Sequence, residues 1–475
     1  MMRFRLKISE QDFRQLQDLV FADLPKEAGA FALAGTAVHR SGTDILVRRP
    51  VAVPKHLFSF QHEYRLEVSS QAVNGLVSLC ERNRLGAVLC HSHPSDIPYS
   101  PSDDHGERRI FDVLRQFIPP DAPTASLLFY PGGVTGRVWL PNIRKPIALA
   151  EIVVIGRYLR RIPLENFGSS PLAQPQNHDL FDREIRAFGR EGVDRIQTAK
   201  VGIIGVGGTG SPIAEQLVRL GTKDLVLVDP DDLEPSNLTR VYGSFARSLV
   251  RRWWHFATPA RTKKVAFIRR HLNMIRPETR IEAIQENVVL HDAAASLLDR
   301  DIIFLCTDDH WGRSIVNQIT FQYLIPTINL GMSIRAKEGK ISDAVGVIDV
   351  LRPDVPCLWC RQFLRGERIA AESMPRKERD ALEREGYVDK IDTAPSVVGV
   401  TTTIAGMAVT QFLQLLTDFM GPAGEVARLN YNIMDGTVRR GTSTILEGCI
   451  CTKVKAFGDL KRLPTLKEMP RLEGT

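Results

Sequence analysis

The sequence predicts an α/β protein in two parts, and three features carry that reading. Val201–Gly210 reads VGIIGVGGTG, a short buried strand running into a glycine-rich turn. Ser211–Leu220 follows with Ile213, Ala214, Leu217 and Leu220 near a 3.6-residue period, so it reads as a helix. Strand, glycine turn and helix in that order open a doubly wound sheet: the glycines let a phosphate approach the backbone, and the helix N-terminus supplies free N–H groups and positive dipole. Far upstream, Ser70–Arg84 reads as a helix and Gly86–Cys90 as a strand. A separate α/β unit therefore precedes the doubly wound one.

Composition is that of an ordinary globular chain. Its 475 residues suffice for two or three domains, with 43% hydrophobic and 25% charged residues. No stretch approaches the roughly 18 apolar residues of a membrane helix, and the opening MMRFRLKISEQDF lacks the apolar core of a signal peptide. A cytoplasmic protein without a membrane partner is the expectation. The net charge of +7 is modest for this length. It reads as scattered surface Lys and Arg, or favours an acidic protein partner or nucleic acid; no nucleic-acid-binding motif is seen around the basic insert Arg247–Arg261. Seven cysteines, an odd number, argue against a disulfide framework. Cys80, Cys90 and Cys306 sit among apolar residues and read as core thiols.

The first unit is taken as residues 1–145. Helical spacing around Phe13–Val20 leads to Pro25-Lys26-Glu27 and the apolar run Ala28–Leu33. The strand Gly86–Cys90 delivers His91-Ser92-His93-Pro94. On an extended segment His91 and His93 face one side, and Asp103 can close the site. Two His and one carboxylate are a common catalytic zinc set that leaves a fourth position for water, and Glu27 is the candidate general base. Asp104 is a further candidate ligand, and Ser102 with His105 is an alternative register that loses the carboxylate. The bland alternative is a turn-rich loop with two incidental His.

An upstream Glu, His-x-His-Pro and Ser-x-x-Asp together resemble the JAB/MPN (JAMM) metalloprotease family, whose members hydrolyse isopeptide or peptide bonds after ubiquitin-like tails. The resemblance implies zinc on His91, His93 and Asp103, a proton shuttled by Glu27, and Ser100 supporting the tetrahedral intermediate. The gap from His93 to Ser100 is one residue shorter than the family pattern.

Residues 146–176 read as a linker. Ile147–Ile155 is an apolar run that either finishes the first unit or forms a connecting helix, and Gly168-Ser169-Ser170-Pro171 with Pro175 break regular structure.

The second domain is taken as 177–475. Leu225–Val228 reads as its second strand and ends on Asp229, suited to ribose hydroxyls. Asn237-Leu238-Thr239-Arg240, Lys263-Lys264 and the strand Asp301–Leu305, ending in Cys306-Thr307-Asp308-Asp309, follow. Arg313 and Asn317 lie one helical face apart. This ordered series, with Asp182-Arg183-Glu184-Ile185 ahead of it, resembles the ThiF-type activators of ubiquitin-like proteins over about residues 177–450. The resemblance implies a Rossmann-like domain that binds ATP and Mg2+ and adenylates the C-terminal glycine of a ubiquitin-like protein. Gly205, Gly207, Gly208 and Gly210 would admit nucleotide and tail, Asp229 and Asn237 would serve the nucleotide, Arg240 and Lys264 would neutralise phosphate, and Asp308 would hold magnesium. Arg183, if it reaches a second copy's ATP site as in that family, implies a homodimer.

Cys357-Leu358-Trp359-Cys360 has zinc-knuckle spacing, and Cys449-Ile450-Cys451 is a tighter second pair. Four thiolates would make a closed structural zinc site; the alternative is buried thiols without metal. Residues 361–448 contain no Cys, so the thioester-forming thiol of some family members is missing and Thr393 and Ser396 are the hydroxyls of its neighbourhood. A hydroxyl is a much poorer nucleophile, and the chemistry is expected to stop at the acyl-adenylate, handed to an outside thiol, sulfur donor, amine or conjugating enzyme. The charged stretch Arg365–Lys390 reads as a crossover loop or a solvated helix, and the basic, Trp-bearing insert Arg247–Arg261 as a partner-binding or self-packing loop.

The reading is a bifunctional enzyme of a bacterial-style conjugation or sulfur-carrier system: a zinc isopeptidase-like unit and an adenylating unit, acting on a ubiquitin-like or sulfur-carrier protein that ends in glycine. An NAD- or FAD-dependent oxidoreductase fits the glycine turn and Asp229 equally well but leaves Arg240, Lys264, Asp308 and the cysteine pairs unexplained. A non-enzymatic scaffold that binds a ubiquitin-like protein is the third class.

Overall fold

A computed structural model describes residues 3–141, 143–164, 180–245, 250–253, 256–259, 262–385 and 395–467. Two compact units emerge. The first is Met1–Gln174 with the segments Phe321–Leu324 and Val454–Arg462; the second is Pro175–Thr320, Ile325–Lys453 and Leu463–Thr475.

The first unit begins with β1 (Phe4–Ser9), α1 (Glu10–Val20), β2 (Gly29–His39) and β3 (Gly42–Ala52). A small hairpin of β4 (Phe58–His62) and β5 (Arg65–Val68) leads to α2 (Ser70–Asn83), β6 (Gly86–Ser92) and α3 (Pro101–Leu114). Then come β7 (Thr124–Tyr130), β8 (Gly133–Val138), β9 (Ile147–Ala148), β10 (Glu151–Ile155) and β11 (Leu159–Pro163). Nine strands form one mixed sheet in the order β11-β10-β1-β3-β2-β6-β7-β8-β9. Local chemistry sets the helix starts: the Ser9 and Ser69 hydroxyls accept the first free N–H groups of α1 and α2, at Asp12 and Ala72. Successive strand side chains face opposite ways, which divides the core in two. Phe13, Leu16 and Val20 of α1 pack with Leu6, Ile8, Ile45 and Leu127 on one face. Leu76 and Cys80 of α2 and Phe111 and Leu114 of α3 pack with Leu33 and Leu89 on the other. The result is helix, sheet, helix in three layers.

Residues 146–163, read as part of the linker, finish the first unit rather than forming a connecting helix. The apolar run from Ile147 is strand, because Ile152, Val153, Val154 and Ile155 are buried and pair β10 in parallel with β1, from Arg5↔Glu151 to Ser9↔Ile155. The Gly168–Pro175 break lies outside the described residues. Neighbouring strands β1 and β3 also enclose charge. Asp44 is fully buried, with Arg5 Nε at 2.7 Å and Lys7 Nζ at 2.9 Å.

The second unit runs α4 (Asp182–Thr198), β12 (Lys200–Ile204), α5 (Gly210–Arg219), β13 (Asp224–Val228), the hairpin β14 (Val250–Trp253) and β15 (Phe256–Pro259), α6 (Lys264–Ile275) and β16 (Arg280–Ile284). It continues through α7 (His291–Ala295), β17 (Ile302–Leu305), α8 (His310–Gln322), β18 (Thr327–Lys337), β19 (Lys340–Leu351), α9 (Gly366–Glu372) and α10 (Arg376–Arg384). It closes with α11 (Val398–Thr417), β20 (Arg428–Asn432), β21 (Thr437–Arg440) and α12 (Ile450–Val454). The sheet order is β16-β13-β12-β17-β18-β19-β20-β21. Its first five strands are parallel and the rest antiparallel. The first parallel strand in sequence, β12, therefore lies beside the second and the fourth, β13 and β17. The strand order reverses between β12 and β17, and ligands of open α/β sheets bind at that switch point.

The charged stretch from Arg365 forms the two short helices α9 and α10 as far as Arg384 rather than a loop; 386–394 lie outside the described residues. So do 247–249, 254–255 and 260–261 of the Arg247–Arg261 insert, whose β14 and β15 pair antiparallel. Helix α11 is long and apolar enough to cross a membrane by length and composition, a length the sequence pattern hides because Thr and Gln interrupt its apolar run. It is a packed element of the second unit, with Ile404, Ala405, Ala408 and Phe412 fully buried.

Candidate functional site

The glycine turn lies at the switch point. Val201, Ile203 and Ile204 of β12 are buried, and the chain leaves the strand at Gly205 with φ +82°, the left-handed region that favours glycine. A Cβ on Gly205 would stand 2.9 Å from Cys306 C and Thr307 N, so the turn lies directly against the loop carrying Asp308. Among the described residues, Gly207 has no heavy atom within 4 Å of where a Cβ would be. A Cβ on Gly208 would meet Arg240 Cδ at 3.1 Å and Ser396 Oγ at 3.4 Å.

Asp229 and Lys264 stand at the same edge, both buried. Asp229 Oδ2 accepts from Val206 N at 2.9 Å and Oδ1 from Asp231 N at 3.0 Å, so this carboxylate braces the glycine turn itself. Lys264 Nζ donates to Asp229 Oδ1 at 3.1 Å and Asp231 Oδ2 at 2.7 Å. Burial works against the ammonium charge, but the two carboxylates outweigh it and hold its pKa above the ordinary lysine value. Asn237 Oδ1 accepts from Glu234 N at 3.1 Å and so shapes the loop that presents Arg240. Asp308 is exposed at the C-terminal end of β17. Its neighbour Asp309, which the sequence pattern does not single out, caps α8 by accepting the Gly312 N–H.

Arg313 and Asn317 make contacts to neighbouring backbone. Arg313 is buried and donates to Thr307 O at 2.9 and 2.6 Å and to Leu330 O at 2.9 Å, fixing the Asp308 loop to β18. Asn317 Oδ1 accepts from Leu358 N at 2.9 Å, between the first two cysteines of the knuckle. Arg183 is exposed in the first turn of α4. Thr393 lies outside the described residues.

The first unit holds the other cluster. Strand β6 ends with His91 and His93, and Ser92 between them points into the core. The Ser92 hydroxyl donates to Val20 O at 2.5 Å and accepts from Ala28 N at 3.2 Å. That pins the start of β2 to the end of β6, with Gly29 opposite His91, and so holds Glu27 close by. Ser100 caps α3 and donates to Asp103 Oδ2 at 2.8 Å, while Asp103 accepts the Ser100 N–H. This capping box aims Asp103 at the imidazoles: Asp103 Oδ1 is 3.5 Å from His91 Nε2 and Oδ2 is 3.7 Å from His93 Nε2. A zinc ion with ligand bonds of about 2.0–2.2 Å spaces its N and O donors by about 3.4 Å in a tetrahedron, so the set fits the metal.

The imidazole partners agree with that fit. His93 Nδ1 donates to Ile97 O at 2.9 Å, which leaves the Nε2 lone pair facing Asp103. Among the described residues, His91 Nε2 is buried without a hydrogen-bond partner. Glu27, buried, lies with Oε1 3.6 Å from His93 Nε2. Burial first, and then the Asp103 charge, raise its pKa to about 7. Asp104 faces away and pairs with Arg137 Nη1 at 2.5 Å, and His105 is exposed, so neither joins the cluster. Sequence reasoning misses the support behind it: Tyr99 stacks edge-on to His91 and lies 3.6 Å beneath the Arg137 guanidinium, and buried Glu107 accepts from Arg137, Trp139 and Ser126. Glu107 lies one helical turn beyond Asp103, but nothing in the sequence joins it to Arg137 or Trp139.

The four knuckle cysteines converge in the second unit. Sγ separations are 3.6 Å for Cys357–Cys360, 3.5 Å for Cys357–Cys449 and 3.8 Å for Cys360–Cys451. A disulfide would bring sulfurs to about 2.05 Å, whereas a tetrahedron of thiolates at Zn–S of about 2.3 Å spaces them by about 3.8 Å. The arrangement suits a closed zinc site. Cys306, expected in the core, is half-buried beside the Asp308 loop, and burial pushes its thiol up to about 12.

Ubiquitin-like modifier-activating enzyme 5 of Drosophila persimilis is 29% identical over 268 residues, which is 53% of this chain and 60% of that protein. Its counterpart in Drosophila pseudoobscura pseudoobscura is 30% identical over 258 residues, 51% of this chain and 56% of that protein. The chain thus spans less than two thirds of the length of either relative. Among solved structures, Escherichia coli MccB with ATP superposes with a TM-score of 0.44 at 17% identity, over 57% of this chain and 73% of that one. PaaA gives 0.43 at 19%, over 60% and 88%. The ThiF family model matches residues 181–445, more than half of the sequence, and the chain belongs to the ThiF family.

Proposed function

We propose that this chain adenylates the C-terminal glycine of a ubiquitin-like or sulfur-carrier protein with ATP, and that its first unit hydrolyses (iso)peptide bonds after such a tail. The observation that carries the first half is the convergence, at one switch point, of an open glycine turn, the Arg240 side chain and the Asp308 loop. The relatives' description as activators of ubiquitin-like modifiers supports the substrate class.

In the proposed reaction a tail carboxylate oxygen attacks the α-phosphorus of ATP. The bond to the β-phosphate oxygen breaks, giving acyl-adenylate and pyrophosphate. Arg240, lying over Gly208, neutralises charge as it moves onto the leaving group. Lys264 acts through Asp229, which it keeps ionised against the turn. Asp308 would hold the Mg2+ of the substrate nucleotide. Exposed Arg183 is the group that would reach a second copy, making the active species a homodimer. With no Cys between 361 and 448, the acyl-adenylate passes to an external thiol, sulfur donor or amine, on a separate conjugating enzyme or the acceptor itself. Pyrophosphate exchange into ATP that requires a Gly-Gly tail tests this half; NAD binding without ATP binding would favour an oxidoreductase instead.

The Glu27–His93 contact favours a second, JAB/MPN-type activity. A zinc ion held by His91, His93 and Asp103 would supply an acidified water and polarise the scissile carbonyl. Glu27 takes the proton and returns it to the leaving amine. Ser100 keeps Asp103 in place. Such trimming would expose the carboxylate that adenylation consumes. Cleavage of a ubiquitin-like protein extended beyond its Gly-Gly tests it, and an inert, metal-free first unit would leave only a binding scaffold.

A further inference from the structure

We infer that the Ser396 hydroxyl contacts the acyl–phosphate junction of the adenylated tail and holds it against the glycine turn. The inference rests on the adenylation reading and adds a residue that reading does not use.

Three distant segments meet at Gly208. A Cβ there would lie 3.1 Å from Arg240 Cδ and 3.4 Å from Ser396 Oγ, while the same construction at neighbouring Gly207 finds open space. A Cβ on one glycine would thus stand in open space, and on the next it would meet the stem of the Arg240 side chain and a hydroxyl. That pairing suits the junction where a carboxylate has joined a phosphate: the guanidinium takes the phosphate charge, and the hydroxyl donates to an oxygen of the anhydride.

The placement is built rather than incidental. Ser396 comes just before Val397, which starts α11 without a side-chain cap. A chain of hydrogen bonds ties that helix to the turn. Thr402 Oγ1 lies 3.0 Å from the Tyr242 hydroxyl, Tyr242 N donates to Ser211 Oγ at 3.0 Å, and Ser211 Oγ donates to Gly207 O at 2.7 Å. The link fixes the first turns of α11, and with them Ser396, relative to Gly207 and Gly208. Ser396 is half-buried, and among the described residues its hydroxyl has no hydrogen-bond partner. No bond to Ser396 forms in this proposal; the hydroxyl binds and does not accept the acyl group.

The test needs no protein partner. Titration calorimetry of the full chain with ATP, AMP and 5′-O-(N-glycylsulfamoyl)adenosine compares nucleotide alone with an uncleavable copy of the junction. Wild type binds the analogue more tightly than AMP. Ser396→Ala loses about tenfold in analogue affinity with AMP affinity unchanged, and Ser396→Thr, which keeps the hydroxyl, recovers most of it. The proposal is overturned if Ser396→Ala binds the analogue as wild type does, or loses AMP and analogue equally. It is also overturned, with adenylation still standing, if wild type binds ATP but holds the analogue no more tightly than AMP. Wild type that binds none of the three removes the adenylation reading and this inference together.

Discussion

Glu27 and His93 stand 3.6 Å apart, carboxylate Oε1 to imidazole Nε2, although they are far apart in sequence and flank different strands. The strand ends holding them are joined by Ser92, which links β6 to Ala28. Glu27→Gln keeps the shape and the ligand set but removes the base. Peptidase activity on a tail-extended ubiquitin-like protein is expected to fall at least about 100-fold, with zinc content unchanged by elemental analysis. Retained cleavage would remove Glu27 from the chemistry.

The cysteine cluster makes a separate forecast. Cys449→Ser takes one thiolate from a site whose sulfurs lie 3.5 to 3.8 Å apart. The variant should carry one zinc fewer per chain and melt at a lower temperature, because a structural zinc contributes folding energy directly. Equal zinc content in wild type and variant would show that these thiols bind no metal.

Asp44 tests the buried charge in the first unit. Burial by itself would raise this carboxyl, but Lys7 and Arg5 hold it well below the usual carboxylate range. A carboxyl lowered in the folded state adds stability that is present above the unfolded value, near 3.9, and lost as pH falls through the folded one. Asp44→Asn takes the buried carboxylate away from Lys7 and Arg5, leaving Arg5 with Glu151 at 3.7 Å, and should cost about 3–5 kcal/mol. In denaturant titrations the gap between wild type and variant stays level from neutral pH to about 5 and narrows below the ordinary carboxylate range. A gap that widens on acidification would contradict the assignment.

Arg313 marks the limit between site and scaffold. Among the described residues its guanidinium donates to the Thr307 and Leu330 carbonyls and stacks on Phe363 at 4.7 Å. Arg313→Met should destabilise the second unit by about 1–3 kcal/mol for the stranded carbonyls and weaken ATP binding through the displaced Asp308 loop. Unchanged stability with weakened ATP binding would instead put Arg313 in contact with the nucleotide.

Much of this is legible in the chain because local patterns carry it. The glycine turn, the strands ending at Asp229 and Asp308, the His-x-His run and the cysteine spacing each announce themselves within a few residues. What stays hidden depends on long-range pairing. Residues from Ile147 show an apolar run, but only the register with β1 makes them strand. Asp44 with Arg5 and Lys7, and Glu107 with Arg137 and Trp139, are charged or polar residues that read as surface until the sheet folds over them. Lys264 reads as a phosphate ligand in the sequence, yet its ammonium is held between Asp229 and Asp231; sequence spacing shows the charge and not its partner. Ser396 is visible in the sequence only as a weak stand-in for a missing thiol, and its place over Gly208 comes from the way α11 is tied to the turn.

ATP–pyrophosphate exchange tests the central claim most directly. Purified full chain is assayed with ubiquitin-like proteins ending in Gly-Gly, beside Asp308→Ala and beside tails lacking the final glycine. The account predicts exchange that needs the intact tail and falls at least about 100-fold without the Asp308 carboxylate. A chain that binds no ATP, or exchange indifferent to both tail and Asp308, would contradict it.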